Sequence, residues 1–314
     1  MMFLSTLLIN VGINPDRPRP GRLWLRNRYR VHQRLAMAFP SDQRKDRDPE
    51  FLAPYDFKDF PEQRSMADGF GYLPDRAETA VGSNLLAQVH SPRIAGAGFL
   101  FRVDPLTAGR AVILVLSHQK PDWNYAFGLI PGQIDSGTGS PAGNAGYLLA
   151  ALPDEPRPLQ VSLNLDARFR FRLTANPTKK TATPLKSARL EMAERGTKDP
   201  KRHGCRVPVR AEDYGLDSTN TLQEVIFRKW LVSRSEAHGF RLVEPIKDTL
   251  RTEAGYVYMN KTQDSSKGQK LRSVTYDGLL EIVDPARFSE ALRGGIGPAK
   301  AFGFGLLSIA PVHP

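Results

Sequence analysis

Tyr29 and His32 stand three residues apart in the segment Arg28-Tyr29-Arg30-Val31-His32. On a helix that spacing puts both side chains on one face. Imidazole is the usual proton donor and acceptor near neutral pH, and a phenol can position or stabilise beside it. The same spacing also suits a surface histidine beside an aromatic ring, so the pair alone leaves both readings open. His90, His118, His203, His238 and His313 have no ligand spacing, and the one cysteine, Cys205, excludes a disulfide scaffold and a cysteine-cluster zinc site. No metal site is expected.

A second candidate is the run Gly294-Gly295-Ile296-Gly297-Pro298-Ala299-Lys300-Ala301-Phe302-Gly303-Phe304-Gly305. Its glycines let backbone approach a phosphate closely, and Lys300 adds a cation. It fails as a dinucleotide site or P-loop. It follows a helical pattern instead of opening one, few residues come after it, and no Gly-Lys-Ser/Thr is present. A tight helix-to-strand connection is the competing reading. A nucleotide-binding enzyme is disfavoured by the same position near the C-terminus.

The third signal is charge. The chain has 314 residues and a formal net charge of +11. Thirty of the 44 basic residues are arginine, which binds phosphate bidentately and stacks on bases. Seven arginines fall between Arg17 and Arg34 with no acid among them, and Pro156 to Arg210 holds 14 basic residues against 4 acidic ones. Ser41 to Gly98 holds 7 basic and 10 acidic. Charge of this kind argues for a polyanionic partner. No apolar run approaches the ~20 residues of a membrane span, and Met1 to Asn10 lacks the basic flank and cleavage site of a signal peptide.

The elements that must position these groups read as follows. Met2 to Asn10 is a strand, and Asn27 caps a helix from about Arg28 to Phe39. Phe99 to Val103 and Ala111 to Ser117 form a hairpin. Val161, Leu163 and Leu165 alternate as a strand. In the next strand Phe169, Phe171 and Leu173 take one face while Arg168, Arg170 and Arg172 take the other. Thr221 with Glu224 predicts a capping box for a helix through Trp230. Strands at Phe240 to Val243 and Val274 to Val283 follow. Asp284-Pro285 starts a helix carrying Phe288, Ala291 and Leu292, and Leu306 to Ile309 is a last strand. This order predicts an α+β protein of two ferredoxin-like (RRM-like) βαββαβ domains, 1–160 and 161–314, with an insertion at about 41–98.

The closing segment Gly295 to Ser308 resembles the C-terminal glycine-rich signature of the CasE family, CRISPR RNA-processing endoribonucleases of type I-E systems in the RAMP superfamily. Three more segments are similar, in the right order: Tyr29-Arg30-Val31-His32 with Leu35 and Phe39-Pro40; Phe171-Arg172-Leu173-Thr174-Ala175-Asn176-Pro177; and Cys205-Arg206-Val207-Pro208-Val209. Thr174 departs from the family's second arginine, and the 41–98 insert is extra. The resemblance implies tandem ferredoxin-like domains and cleavage of the repeat stem-loop in precursor crRNA at its 3′ base. It implies a metal-independent reaction with no cofactor, leaving a 2′,3′-cyclic phosphate and a 5′-OH, and a place in the Cascade complex. By that carry-over His32 is the general acid/base and Tyr29 its partner. The groups assigned to RNA are Arg28, Arg172, Lys179, Lys180, Lys201, Arg202, Arg206, Gly297, Lys300, Gly303 and Gly305. A cytoplasmic location is expected. The alternative is a catalytically silent RAMP subunit that only binds the crRNA hairpin.

Overall fold

The structure, a computed structural model, describes residues 2–14, 20–39, 98–127, 148–180, 206–259 and 268–312. The expected insert, the glycine-rich stretch Gly132 to Gly146, Lys201 and Arg202 lie outside the described residues.

The first sheet holds β1 (Phe3–Asn10), β2 (Phe99–Pro105), β3 (Arg110–Ser117) and the short β4 (Arg157–Pro158), in the order β2-β3-β1-β4. Helices α1 (Pro20–Arg26) and α2 (Arg28–Ala36) connect β1 to β2, and α3 (Trp123–Phe127) precedes β4. Alternation along the strands decides the faces. Leu7, Ile9, Phe101, Ile113 and Val115 point to the side covered by Trp24, Val31 and Leu35. Each such side chain contributes about 1.5–3 kcal/mol when fully buried.

The second sheet holds β5 (Arg168–Ala175), β8 (Phe240–Leu242), β9 (Leu250–Met259), β10 (Gln269–Ile282) and β11 (Leu307–Pro311). Its order is β11-β5-β10-β8, with β9 on the first part of β10. Helices α4 (Gln223–Ser235) and α6 (Pro285–Gly294) cover it, and a short α5 (Ile246–Thr249) precedes β9. β6 (Thr178–Lys180) and β7 (Arg206–Pro208) pair as a separate two-stranded ribbon. In both sheets the outer strands of each βαββαβ unit flank the central first and third strands. This is the ferredoxin-like order, so the expected fold is borne out.

Local signals succeed where a partner is at hand. Asn27 Oδ1 accepts from the Tyr29 amide at 3.2 Å, and Asp284 Oδ1 accepts from the Ala286 and Arg287 amides at 3.1 and 3.0 Å. Phe169, Phe171 and Leu173 enter the second core while Arg168, Arg170 and Arg172 face outward.

Other expectations are corrected. The Thr221/Glu224 capping box does not form: α4 is capped by Leu222 without a side-chain bond, and Glu224 pairs with Arg228 at 2.5 Å. The Val161 to Leu165 strand is absent: Val161 and Leu163 lie against the second core outside any strand, and β4 forms earlier. The α2 helix ends at Ala36, and turns carry the chain on to Phe39.

The two sheets meet through β2. Leu100, Arg102 and Asp104 lie on the face of β2 opposite Phe101, where Leu100 joins Met2, Leu116 and Leu306 in a small apolar cluster. Beside it Arg102 is buried, and its Nε donates to both oxygens of Asp104 at 2.9 Å. Its Nη1 donates to the Arg172 carbonyl at 3.1 Å and to Ser308 Oγ at 2.9 Å. One guanidinium thus ties β2 to β5 and β11.

Candidate functional site

The α2 helix begins because Asn27 stands ready as its cap, and it buries Val31, Leu35 and Ala36 together with Arg30, Gln33 and Arg34. That burial turns Tyr29 and His32 toward the helix flank, where both keep part of their surface in solvent. The His32 imidazole stacks on Phe99, with ring centroids 5.1 Å apart and planes 24° from parallel. Phe99 in turn stacks on Phe39 at 5.4 Å. The Phe101 ring is 6.5 Å from His32. β2 therefore supplies an aromatic floor under the imidazole.

The glycine-rich run reaches the same place from the far end of the chain. Its single 3₁₀ turn, Lys300–Phe302, packs against α2 and β2. Gly303 has φ of +83°, and a β-carbon there would sit 3.0 Å from Phe101 Cε2. A side chain at that position would be strained and would press on Phe101. Gly297, at φ +84°, rests on the Trp230 ring, where a β-carbon would be 3.2 Å away. The loop is closed by the Ile296 amide donating to the Gly305 carbonyl at 2.9 Å and fastened to β5 by the Gly305 amide donating to Thr174 at 2.8 Å. The run joins α6 tightly to β11, and its Gly303 lies one aromatic ring from His32.

Cations surround the site. Burial lowers the Arg28 guanidinium to about 10, opposed by the Asp104 carboxylate. Burial also lowers Lys300. His238 is lowered by burial and then by Arg234 and Lys300, so positive charge gathers on the α4 side of the loop. Arg234 lies over the Trp230 ring at 5.8 Å.

The remaining assigned residues fall elsewhere. Arg172 is held by Asp277 across the β5–β10 ladder at 2.6 Å, and that hydrogen bond raises its pKa. Lys179 and Lys180 lie on β6 and Arg206 on β7, where Lys179 pairs with Asp213. The structure thus sets Lys300 and Gly303 against α2 and β2 beside His32, with Arg28 and Tyr29 on the same helix, and sets Lys179, Lys180 and Arg206 on a separate ribbon. Sequence reading missed Phe99, Phe101, Arg102 and Asp104. Their period-two alternation was visible, but nothing local told which face of β2 would meet the second sheet.

Comparison with known proteins bears on this arrangement. A family described as CRISPR associated protein matches residues 79–311. The CRISPR-associated endoribonuclease Cse3 of Thermus thermophilus is 30% identical over 220 residues, covering 68% of this chain and 79% of that protein. The Cascade subunit CasE of Escherichia coli is 28% identical over 156 residues, 49% of this chain and 63% of that protein. Thermus thermophilus Cse3 bound to an RNA representing a pre-cleavage complex shares the fold, with a TM-score of 0.55 at 24% identity, covering 99% of each chain.

Proposed function

This chain belongs to the CRISPR-associated Cse3/CasE family, and from that premise we propose that it cuts CRISPR repeat stem-loops in precursor crRNA. The relative most informative about activity is named an endoribonuclease, which favours cutting over the silent hairpin-binding alternative. The observation that carries the reading is the convergence of α2, with Tyr29 and His32, on the terminal glycine-rich loop.

In this reading the ribose 2′-OH attacks the adjacent phosphate. A bond forms from O2′ to phosphorus, and the bond from phosphorus to O5′ breaks. The products are a 2′,3′-cyclic phosphate and a 5′-OH. His32 transfers the proton, and Tyr29 positions or stabilises beside it. An internal nucleophile gains most from orientation, proton transfer and nearby positive charge, and this chain's residues supply all three. The loop glycines bring backbone close to the phosphate, and Lys300 adds charge. Arg206, Lys179 and Lys180 on the β6–β7 ribbon, with Lys201 and Arg202 in the segment joining its strands, hold the stem. A-form RNA has a deep, narrow major groove, so such cations read its phosphates and its end.

The product stays bound, and the protein serves as a Cascade subunit, as its relative from Escherichia coli is named. The domain division at 160/161 belongs to the same reading. Among the described residues no helix is long and apolar enough to cross a membrane. The place of work we assign is the cytoplasm, where the lone Cys205 thiol stays reduced.

The test is cleavage of repeat RNA in excess EDTA by wild type and by His32→Ala. General acid/base help is worth about 10²–10⁴-fold, so the variant should be nearly silent. A variant that cuts as fast as wild type removes His32 from the mechanism. Loss of wild-type cleavage in EDTA removes the metal-independent reaction.

A further inference from the structure

Arg28 occupies the first turn of α2, next to Tyr29 in sequence and one helical turn before His32. Its Nη1 has less than 1 Å² in contact with solvent and no hydrogen-bond partner. The residue as a whole is mostly buried but keeps part of its surface outside. The acid that acts on it is Asp104. That carboxylate is already engaged: both of its oxygens accept from Arg102 at 2.9 Å. Asp104 balances Arg102, and Arg172 nearby has Asp277 as its own partner, which leaves the Arg28 guanidinium over. The site therefore holds a desolvated positive charge in excess.

Such a charge is costly to bury and is compensated by an anion of matching geometry. A guanidinium fork matches the oxygens of a phosphate diester. The place is also right, because the group lies on the helix that carries the proposed proton-transfer residue. We propose that Arg28 is a catalytic residue which donates to a non-bridging oxygen of the scissile phosphate and neutralises the charge that grows there as O2′ attacks. This deepens the endoribonuclease reading and rests on it. The free protein holds an unmatched cation, and the charge that grows on the phosphate in the transition state is what matches it.

The experiment compares wild type, Arg28→Met and Arg28→Lys in full-length protein. It reads single-turnover cleavage of repeat RNA, affinity for a non-cleavable repeat carrying a 2′-deoxy group at the cut site, and thermal melting. Removing one donor of a preorganised anion site costs about 10²–10³-fold in rate, so Arg28→Met should cut about 10²-fold more slowly. Affinity should change by no more than about threefold, because the contact strengthens chiefly in the transition state. Melting should be unchanged or higher, since methionine removes an unmatched buried charge and keeps an apolar stem. Arg28→Lys, which restores a cation, should recover about tenfold of the lost rate.

A lower melting temperature together with slow cutting overturns the proposal in favour of a structural arginine. Equal losses in rate and affinity overturn it in favour of ordinary RNA binding. Arg28→Met cutting at the wild-type rate overturns it while the endoribonuclease reading stands. A wild type that leaves repeat RNA intact overturns both.

Discussion

The imidazole of His32 lies flat on the ring of Phe99, centroids 5.1 Å apart, and Phe39 stacks on that ring at 5.4 Å. A proton-transfer group needs one orientation, and this stack helps to supply it. Phe99→Ala removes the floor and leaves α2 in place. We expect single-turnover cleavage of repeat RNA to fall by up to about 10²-fold while RNA affinity holds, because small misplacement of a reacting group costs about that much. Rate and affinity measured on the same RNA separate the two effects.

Gly303→Ala should disturb the site from the other side. The backbone at φ +83° disfavours an L side chain by about 1–2 kcal/mol, and the new methyl would meet Phe101 at 3.0 Å. Phe101 stands beside His32, so cleavage should fall further than the stability loss explains. Gly215→Ala is the comparison: its φ is +67°, and nothing lies within 4 Å of the added carbon. Urea denaturation should show a loss for Gly303→Ala at least as large as for Gly215→Ala, with slowed cutting only for Gly303→Ala.

Arg102→Met should weaken the join between the two sheets. The side chain is buried, and its removal leaves Ser308 Oγ and the Arg172 carbonyl without their donor. It also leaves Asp104 without the partner that holds both its oxygens. Breaking a buried ion pair costs about 3–5 kcal/mol. A loss of that size in chemical denaturation is the expected result. Arg28→Met, which removes a cation from the same carboxylate, should show no such loss.

Acid should act on the outer face of the second sheet. Glu281 accepts from Arg168 and then from Arg241, and these bonds hold its carboxyl below the ordinary value of 4.5. The unfolded chain then binds more protons than the folded one in this range, so stability rises with pH. The contribution is complete above 4.5 and is lost as pH falls through the folded value. Glu281→Gln should flatten the melting temperature between about pH 5 and pH 3, and a curve as steep as wild type's would refute it.

The features legible in the residue pattern alone were local. Asn27 and Asp284 are caps whose donors, backbone amides, lie two or three residues away, and both were legible. The alternation of Phe169, Phe171 and Leu173 against three arginines fixed the inner face of β5. The four collinear resemblances named the family. Alternation misled at Val161, Leu163 and Leu165, because a strand also needs a ladder partner and none is offered there. β9 was missed because Arg251 to Tyr256 exposes most of its side chains and carries little apolar signal. Only the tertiary structure decided which charges are free. Arg168 faces Glu281 and Arg172 faces Asp277 across the ladder, whereas Arg170 stands opposite Leu279 and Ala310. It also decided that residues about 270 positions apart in the chain share one site. Phe101 touches both His32 and Gly303 because β2 belongs to the first sheet while its far face, through Arg102, is bound to the second. Pairing across sheets depends on packing between distant segments, and no local pattern of residue types encodes it.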